Sequence, residues 1–557
     1  MAVTAQGASD EQLDDIYEQA IAAREERRRR RDEPPLIRIW ENKTVGMVLR
    51  GVVAAEYAGF FEIEVNETAP AQLVLPFDHH LAKFCWERRK REKQNVVLTI
   101  DAAAERWGGL MSNCTLTQDE DLARTVTVDF VHDYEMFKHL PCWANPLSPP
   151  ALQIPNSWSL FANAIWGLKV TLFANLLRLN GSLWQLPDDP LDPESWVATL
   201  DYKRWQMVVK PSLLTTDTSP LRYIHSEFEN FHDVAKPILE DCGLMVTCRR
   251  WLIGDPQPWP GAGLKRNGQI VVDIVDKSGW YGQTSTFGKI GSGLVRTGLE
   301  IADNLVDETR IILDKPRRAP QYSVSGFLGV APEQPWVVYR TNGKASTVNS
   351  VSASYKPASV AQVTVGGKSA PGVNELISAN IKLIFNIMGS FILQPALGSV
   401  VESIIRPWFE DRLLAWMSIK SPLRSKKLGW AHFPENVVHH SGQAYTLSAL
   451  LAMRKEFRDT NEQWAFEVNI GDGAPYLIGA PGFGHWTIGD RIGCEEPGAD
   501  DGYVQVLQCR KLRLEWDADT PKEWTATLGV PPLRDPVEWA VDQINTVTSS
   551  FKKHGWL

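Results

Sequence analysis

A change of hydrophobic period constrains this chain more than any other feature. From Leu36 onward, apolar residues alternate with other residues: Ile37 and Ile39; Val45, Met47 and Leu49; Phe61, Ile63 and Val65; Val96, Leu98 and Ile100; Val126, Val128 and Phe130. A period of two puts one apolar face on a pleated strand, whereas a helix needs spacings of three and four. Gly, Asn and Asp punctuate the runs, as turn residues do. Residues 36–150 are therefore read as a β-rich domain. Within it, Asp78–Arg91 is predicted to hold a short helix that turns Leu81 and Phe84 inward.

The stretch before it follows another rule. Leu13, Ile16, Ala20 and Ala23 form a narrow apolar seam at helical spacing, so residues 1–35 are read as a helical arm. Arg24 and Arg27–Arg31 crowd the end of that helix, where cations suit its dipole, and Pro34-Pro35 stops it. Docking onto a neighbouring subunit fits this run better than binding DNA.

At 557 residues the chain is too long for one ordinary core. Residues 151–316 read as an α/β middle domain. It has a helix over Ser157–Leu179, a second over Ser226–Cys242 kinked at Pro237 and stopped by Gly243, strands at Leu244–Leu252 and Gln269–Val275, and a helix over Gly298–Leu313. Residues 317–375 are a Ser/Val-rich excursion, either β-hairpins or extended chain. Residues 376–460 are an apolar helical segment, including Arg412–Trp416 and Leu447–Arg458. Residues 461–557 return to short strands, Trp464–Val468, Tyr503–Leu507 and Lys511–Trp516, followed by a tail. The fold class expected is α+β and multidomain, with β-rich domains and helical middle segments.

Chemistry is hard to find. The seven Cys include no C-x-x-C pair, so reduced thiols are expected, with no disulfide framework and no metal site. No signal-peptide core opens the chain, and synthesis in a cytoplasm is expected. His79-His80 and His439-His440 lack metalloprotease spacing, and Gly288–Gly293 lacks the full phosphate-loop pattern. Glu62, Glu64, Asp188, Asp189, Asp500 and Asp501 lie near Trp residues but form no recognisable acid–base pair. No catalytic residue and no cofactor is assigned. The net charge of −9 disfavours gripping phosphates and suits a conduit along which DNA slides. The 22 Trp point to cores and interfaces, with sugar stacking as the alternative. Residues 383–401 carry no charge and approach the length of a bilayer span, yet Pro395 and the amides favour burial or a subunit interface over membrane contact. Leu383, Phe385, Phe391 and Ile392 are the interface candidates.

Several short motifs, in their order, carry a family resemblance. Ile39-Trp40-Glu41-Asn42-Lys43-Thr44-Val45-Gly46-Met47-Val48-Leu49 resembles the opening strands of phage tail hub proteins. So do Ala71–Pro76 with its following His-containing helix, and Val97–Ile100 leading to Arg106-Trp107-Gly108-Gly109. Ala235–Leu244 looks like a hub helix ending in glycine before a strand, and Trp486-Thr487-Ile488-Gly489-Asp490-Arg491-Ile492 like a hub strand entry, with Val504–Glu515 as closing strands. The chain thus resembles the minor tail or baseplate hub proteins of siphophages of actinobacteria, over about residues 36–530. The resemblance implies a non-enzymatic homotrimeric ring at the distal end of the tail. Such a ring joins the distal tail protein to fibres or other minor tail proteins, surrounds the tape-measure protein and opens for DNA ejection. It implies contact with the host envelope and no sequence-specific binding of nucleic acid. A tail-associated cell-wall hydrolase or a glycan-binding receptor protein is the alternative.

Overall fold

The structure is a computed structural model. It describes residues 33–43, 46–154, 157–181, 201–219, 221–277, 348–368, 416–443, 463–481, 483–498, 504–519 and 522–529, with shorter pieces in 17–32, 186–199, 280–281, 331–332, 337–341 and at 456 and 460.

The alternating runs become strands. β1 (Leu36–Lys43), β2 (Gly46–Val52), β3 (Ala58–Glu64) and β4 (Pro70–Pro76) precede helix α1 (His80–Trp86), and β5 (Val96–Ala102), β6 (Glu105–Gln118) and β7 (Arg124–His132) follow it. Leu81 of α1 is buried and Phe84 half-buried, as the sequence predicts. Then come β8 (Trp158–Asn163), α2 (Ala164–Gly181), β9 (Met207–Val209), β10 (Leu221–Ser226), α3 (Phe231–Cys242), β11 (Leu244–Trp251) and β12 (Gln269–Asp276). Farther on lie β13 (Trp280–Tyr281), β14 (Ala331–Pro332), β15 (Val338–Tyr339), β16 (Ser350–Lys356), β17 (Gln362–Lys368), β18 (Trp416–Lys420), α4 (Pro422–Leu428) and β19 (Asn436–Gln443). The last strands are β20 (Gln463–Gly471), β21 (Arg491–Glu495), β22 (Val504–Asp517) and β23 (Glu523–Gly529).

The two β-rich stretches near the chain's ends, which the sequence separates, share one thirteen-stranded sheet. Its path is β16-β20-β23-β22-β3-β4-β7-β6-β5-β1-β2, with β21 on β22 and β15 on β21. The junction is the antiparallel pair β22–β3, running from Lys511 opposite Glu64 to Asp517 opposite Ala58. One core serves both ends: Phe61, Leu73, Trp107 and Phe130 pack in the same cluster as Tyr339, Phe466, Trp486 and Trp524. The rings of Phe61 and Trp524 meet edge to face at 6.1 Å.

The middle stretch has its own core. Leu168 and Leu172 of α2, Ile224 of β10, Phe231 and Leu239 of α3, and Ile270 of β12 pack together there. The helix expected from Ser157 starts later, because Trp158–Asn163 pairs with β10 as a strand. Helix α2 begins at Ala164, where the Asp217 carboxylate accepts the Trp166 N–H at 2.7 Å and the Ser219 hydroxyl accepts the Ile165 N–H at 3.0 Å. The cap comes from a distant loop, so no local signal marks the start. Helix α3 runs through Pro237 and ends at Gly243, whose φ of +62° only glycine adopts freely.

Other expectations change. The two short strands Tyr503–Leu507 and Lys511–Trp516 are one strand, β22, whose register against β23 shifts between Cys509 and Lys511. That bulge breaks the alternation and makes one strand read as two. Trp416 opens strand β18 instead of continuing a helix, and the elements described within 376–460 include β18, α4 and β19, with Glu456 helical. Together with β17, the two strands form a three-stranded sheet in the order β18-β17-β19. Residues 298–313, 383–401 and most of 447–458 lie outside the described residues. The described residues are β-rich with few helices.

The arm is helical where it is described, and it docks on its own chain. Arg30 sits 5.3 Å over the Phe483 ring, Arg31 lies 3.7 Å from Asp472, and Lys522 donates to the Glu33 carbonyl.

Candidate functional site: the seam between the sheet and the central module

The central module covers the sheet where β5 and β6 run. All five residues from Val96 to Ile100 are buried, which a one-sided sheet does not require. Trp40, Met47 and Val97 leave the far face to meet Leu252 at the end of β11. Gly108 of the Arg106-Trp107-Gly108-Gly109 motif makes this approach possible. A Cβ on Gly108 would collide with Asp133 and with the stem of Arg250.

Charges close the seam. Arg250 is paired with Asp133 at 2.5 Å with both side chains almost fully buried, and it also donates to the Gly268 carbonyl at 3.1 Å. Arg106 holds Asp101 at 2.5 Å, pairs with Asp255, and donates to the Arg250 carbonyl at 2.9 Å. The pairing is incomplete: Asp133 Oδ2 and Arg250 Nε are buried without a hydrogen-bond partner, so the seam bears part of the desolvation cost of these charges. Asn66, buried at φ +55°, donates to the Leu244 carbonyl at 2.8 Å and accepts the Val246 N–H at 2.9 Å, so it completes the start of β11.

Glu67 is the other anchor. It pairs with Lys138 at 2.6 Å and Lys236 at 2.5 Å, and His232 stands 3.9 Å away. Partial burial works against its charge, but the two ammonium groups and the Thr68 N–H outweigh it and hold the carboxyl at about 2. The Tyr134 hydroxyl meets Nδ1 of His232 at 3.1 Å, and burial pushes that phenol far above its ordinary range.

The Gly489-Asp490-Arg491 strand entry ties the C-terminal strands to the same module. Gly489 takes a φ of +82°, and Asp490 accepts the Thr487 N–H at 2.8 Å and pairs with Lys277 at 2.7 Å. Burial raises the nearby Glu105 carboxyl, which accepts the Thr487 hydroxyl at 3.2 Å.

Of the groups considered for catalysis, Glu62 and His79 are spent on structure, Glu64 lies half-buried on β3, His80 is exposed on α1, and the others lie outside the described residues. Glu62 is bound by Arg513 at 3.0 Å and Lys511 at 2.7 Å. The His79 ring accepts the Leu81 N–H at 3.2 Å as the cap of α1. The side chains of His439 and His440, the residues Asp188, Asp189, Asp500 and Asp501, and Gly288–Gly293 lie outside the described residues, as do the interface candidates Leu383, Phe385, Phe391 and Ile392. Among the described residues no three His, Cys, Asp or Glu gather as metal ligands, and no helix is long and apolar enough to cross a membrane. All seven cysteines are free, and burial pushes Cys85, Cys142 and Cys494 up to about 12, far from a reactive thiolate.

Of the seam residues, the sequence reading singled out the Arg106–Gly109 and Gly489–Arg491 motifs as motifs only. It missed Glu67, Asp133 and Arg250, whose partners are remote and which carry no spacing signal.

Comparison with known proteins decides the kinship. The profile of the Siphovirus ReqiPepy6 Gp37-like proteins matches residues 36–530. The chain belongs to the Siphovirus ReqiPepy6 Gp37-like family. Minor tail protein Gp28 of Mycobacterium phage D29 is 32% identical to this Gp37-like chain over 555 residues, covering 91% of this chain and 93% of the relative. Minor tail protein Gp28 of Mycobacterium phage L5 is 32% identical over 556 residues, with the same coverage. The resemblance to siphophage minor tail proteins is thereby borne out, and with it a place in the virion tail. Among solved structures, a tail protein from Neisseria meningitidis MC58 is 9% identical, with a TM-score of 0.39, over 91% of this Gp37-like chain and 99% of that one. The 43 kDa tail protein of prophage MuSo2 from Shewanella oneidensis is 9% identical, with a TM-score of 0.39, over 90% and 98%.

Proposed function

We propose that this minor tail protein is a structural, non-enzymatic hub at the distal end of the tail. Three copies form a ring. It joins the distal tail protein on one side to fibres or other minor tail proteins on the other, and surrounds the end of the tape-measure protein and the channel through which DNA leaves. The observation that carries the reading is the β22–β3 junction, which welds the first and last strands into one sheet. A body closed in this way resists being pulled apart end from end, as a load-bearing joint requires. Arg106 on β6 locks the central module to it by pairing with Asp255 and donating to the Arg250 carbonyl, and the acidic chain, at a net charge of −9, suits a lumen that must release DNA. Residues 383–401 supply contacts between copies in this reading.

Light scattering on the purified chain, followed by class-averaged electron images, tests it. A trimer with a central lumen is expected. Replacing Leu383 and Phe391 together with Asp is expected to abolish that trimer while the monomer still folds. A monomer that clears actinobacterial cell wall in a zymogram would overturn the hub in favour of a hydrolase.

A further inference from the structure

One loop holds two aromatic side chains in solvent. Between α4 and β19 the chain runs Gly429-Trp430-Ala431-His432-Phe433-Pro434-Glu435, with Trp430 95% exposed and Phe433 70% exposed. Rings of that size normally gain stability by burial, yet this backbone is held with the rings turned outward. Phe433 bridges Val360 in parallel, and its carbonyl accepts the Ala361 N–H at 3.4 Å. Nδ1 of His432 lies 2.7 Å from the Gly429 carbonyl. Helix α4 is pinned just before the loop: Ser421 caps it, and Arg424 donates to the Val360 carbonyl at 3.3 Å and the Thr460 hydroxyl at 3.0 Å.

Cations outnumber acids around the loop: Lys420, Lys426 and Lys427 are exposed on β18 and α4, against Glu435, which accepts a hydrogen bond from the Thr364 hydroxyl, and Glu456, which accepts one from Asn436. This is a cationic, aromatic patch on a chain whose net charge is −9. Exposed Trp and Phe flanked by Lys match the chemistry of the bilayer interface, where rings settle at the headgroup level and cations meet anionic lipid.

We propose that the 429–435 loop is a membrane-contact site, with Trp430 and Phe433 entering the interface of an anionic bilayer and Lys420, Lys426 and Lys427 facing its headgroups. A monomer and a trimer would both show this contact, so it stands apart from the ring reading.

The test is flotation of the full chain with vesicles of phosphatidylcholine, alone or mixed equally with phosphatidylglycerol. The chain is expected to float with the anionic vesicles about tenfold more than with the neutral ones. Trp430→Ser with Phe433→Ser is expected to lower flotation about tenfold at unchanged mass and melting temperature. Lys426→Glu with Lys427→Glu is expected to erase the preference for anionic lipid. Absence of flotation with either vesicle, or a serine variant that floats like the unaltered chain, would overturn the proposal. A serine variant that loses oligomer mass while still floating would make the loop a protein interface instead.

Discussion

Glu62 and Arg513 stand 451 positions apart in the chain and 3.0 Å apart in the fold. Glu62 lies almost fully buried on β3, and Arg513 reaches it from β22 while its guanidinium covers the Phe60 ring at 4.1 Å. Among the described residues, the pair marks the ladder that joins the two ends of the sheet. Arg513→Met keeps the apolar stem but leaves Glu62 with Lys511 alone, and is expected to cost ~1–2 kcal/mol in a urea melt. The same substitution in a Glu62→Gln background is expected to cost less, and equal costs in both backgrounds would show that the pair is not coupled.

The central module depends on Arg250. Its pairing with Asp133 is buried on both sides, so Arg250→Met strands a carboxylate in the seam and is expected to cost ~3–5 kcal/mol. Adding Asp133→Asn is expected to restore part of that loss. Thermal melts of both variants check this, and a double variant as unstable as the single one would contradict it.

Gly108 has no room for a methyl group, because Asp133 and Arg250 occupy the space. Gly108→Ala is therefore expected to open the seam and expose the 133–277 module to limited proteolysis, with the β1–β7 strands still protected. A cleavage pattern unchanged from the parent chain would show that the seam yields without loss.

Acid weakens the module through Glu67. Its carboxyl is held at about 2 in the fold against an ordinary value of 4.5. A depressed carboxyl stabilises above its unfolded value, and that stabilisation is lost as pH falls from 4.5 toward about 2. The loss is on the order of 3 kcal/mol. Glu67→Gln is expected to be less stable at pH 7 and to show a flatter acid limb, both measured by melts across that window.

Much of the architecture could be read in the residues, and the limits of that reading have physical causes. Period-two runs announce strands because the core lies on one face of the pleat, as in β4 and β23. Gly243 and Gly489 announce a stop and a strand entry because both take positive φ. The start of α2 stayed hidden because Asp217 and Ser219 cap it from elsewhere in the chain. The bulge near Cys509 disguised β22. The seam was the least legible part: Asp133, Arg250 and Glu67 look like any surface charge until the fold brings their partners to them.

The β22–β3 ladder also has a consequence for translation. Strand β3 leaves the ribosome early, while Arg513, the partner of Glu62, follows 451 residues later. At about 5–20 residues per second that edge waits roughly 20–90 s with its backbone amides and carbonyls bare. Nascent chains released before Val504 should aggregate through it, and chains released after Gly529 should not, which sedimentation of arrested products can check. The hazard of aggregation falls on these unfinished chains more than on the completed protein.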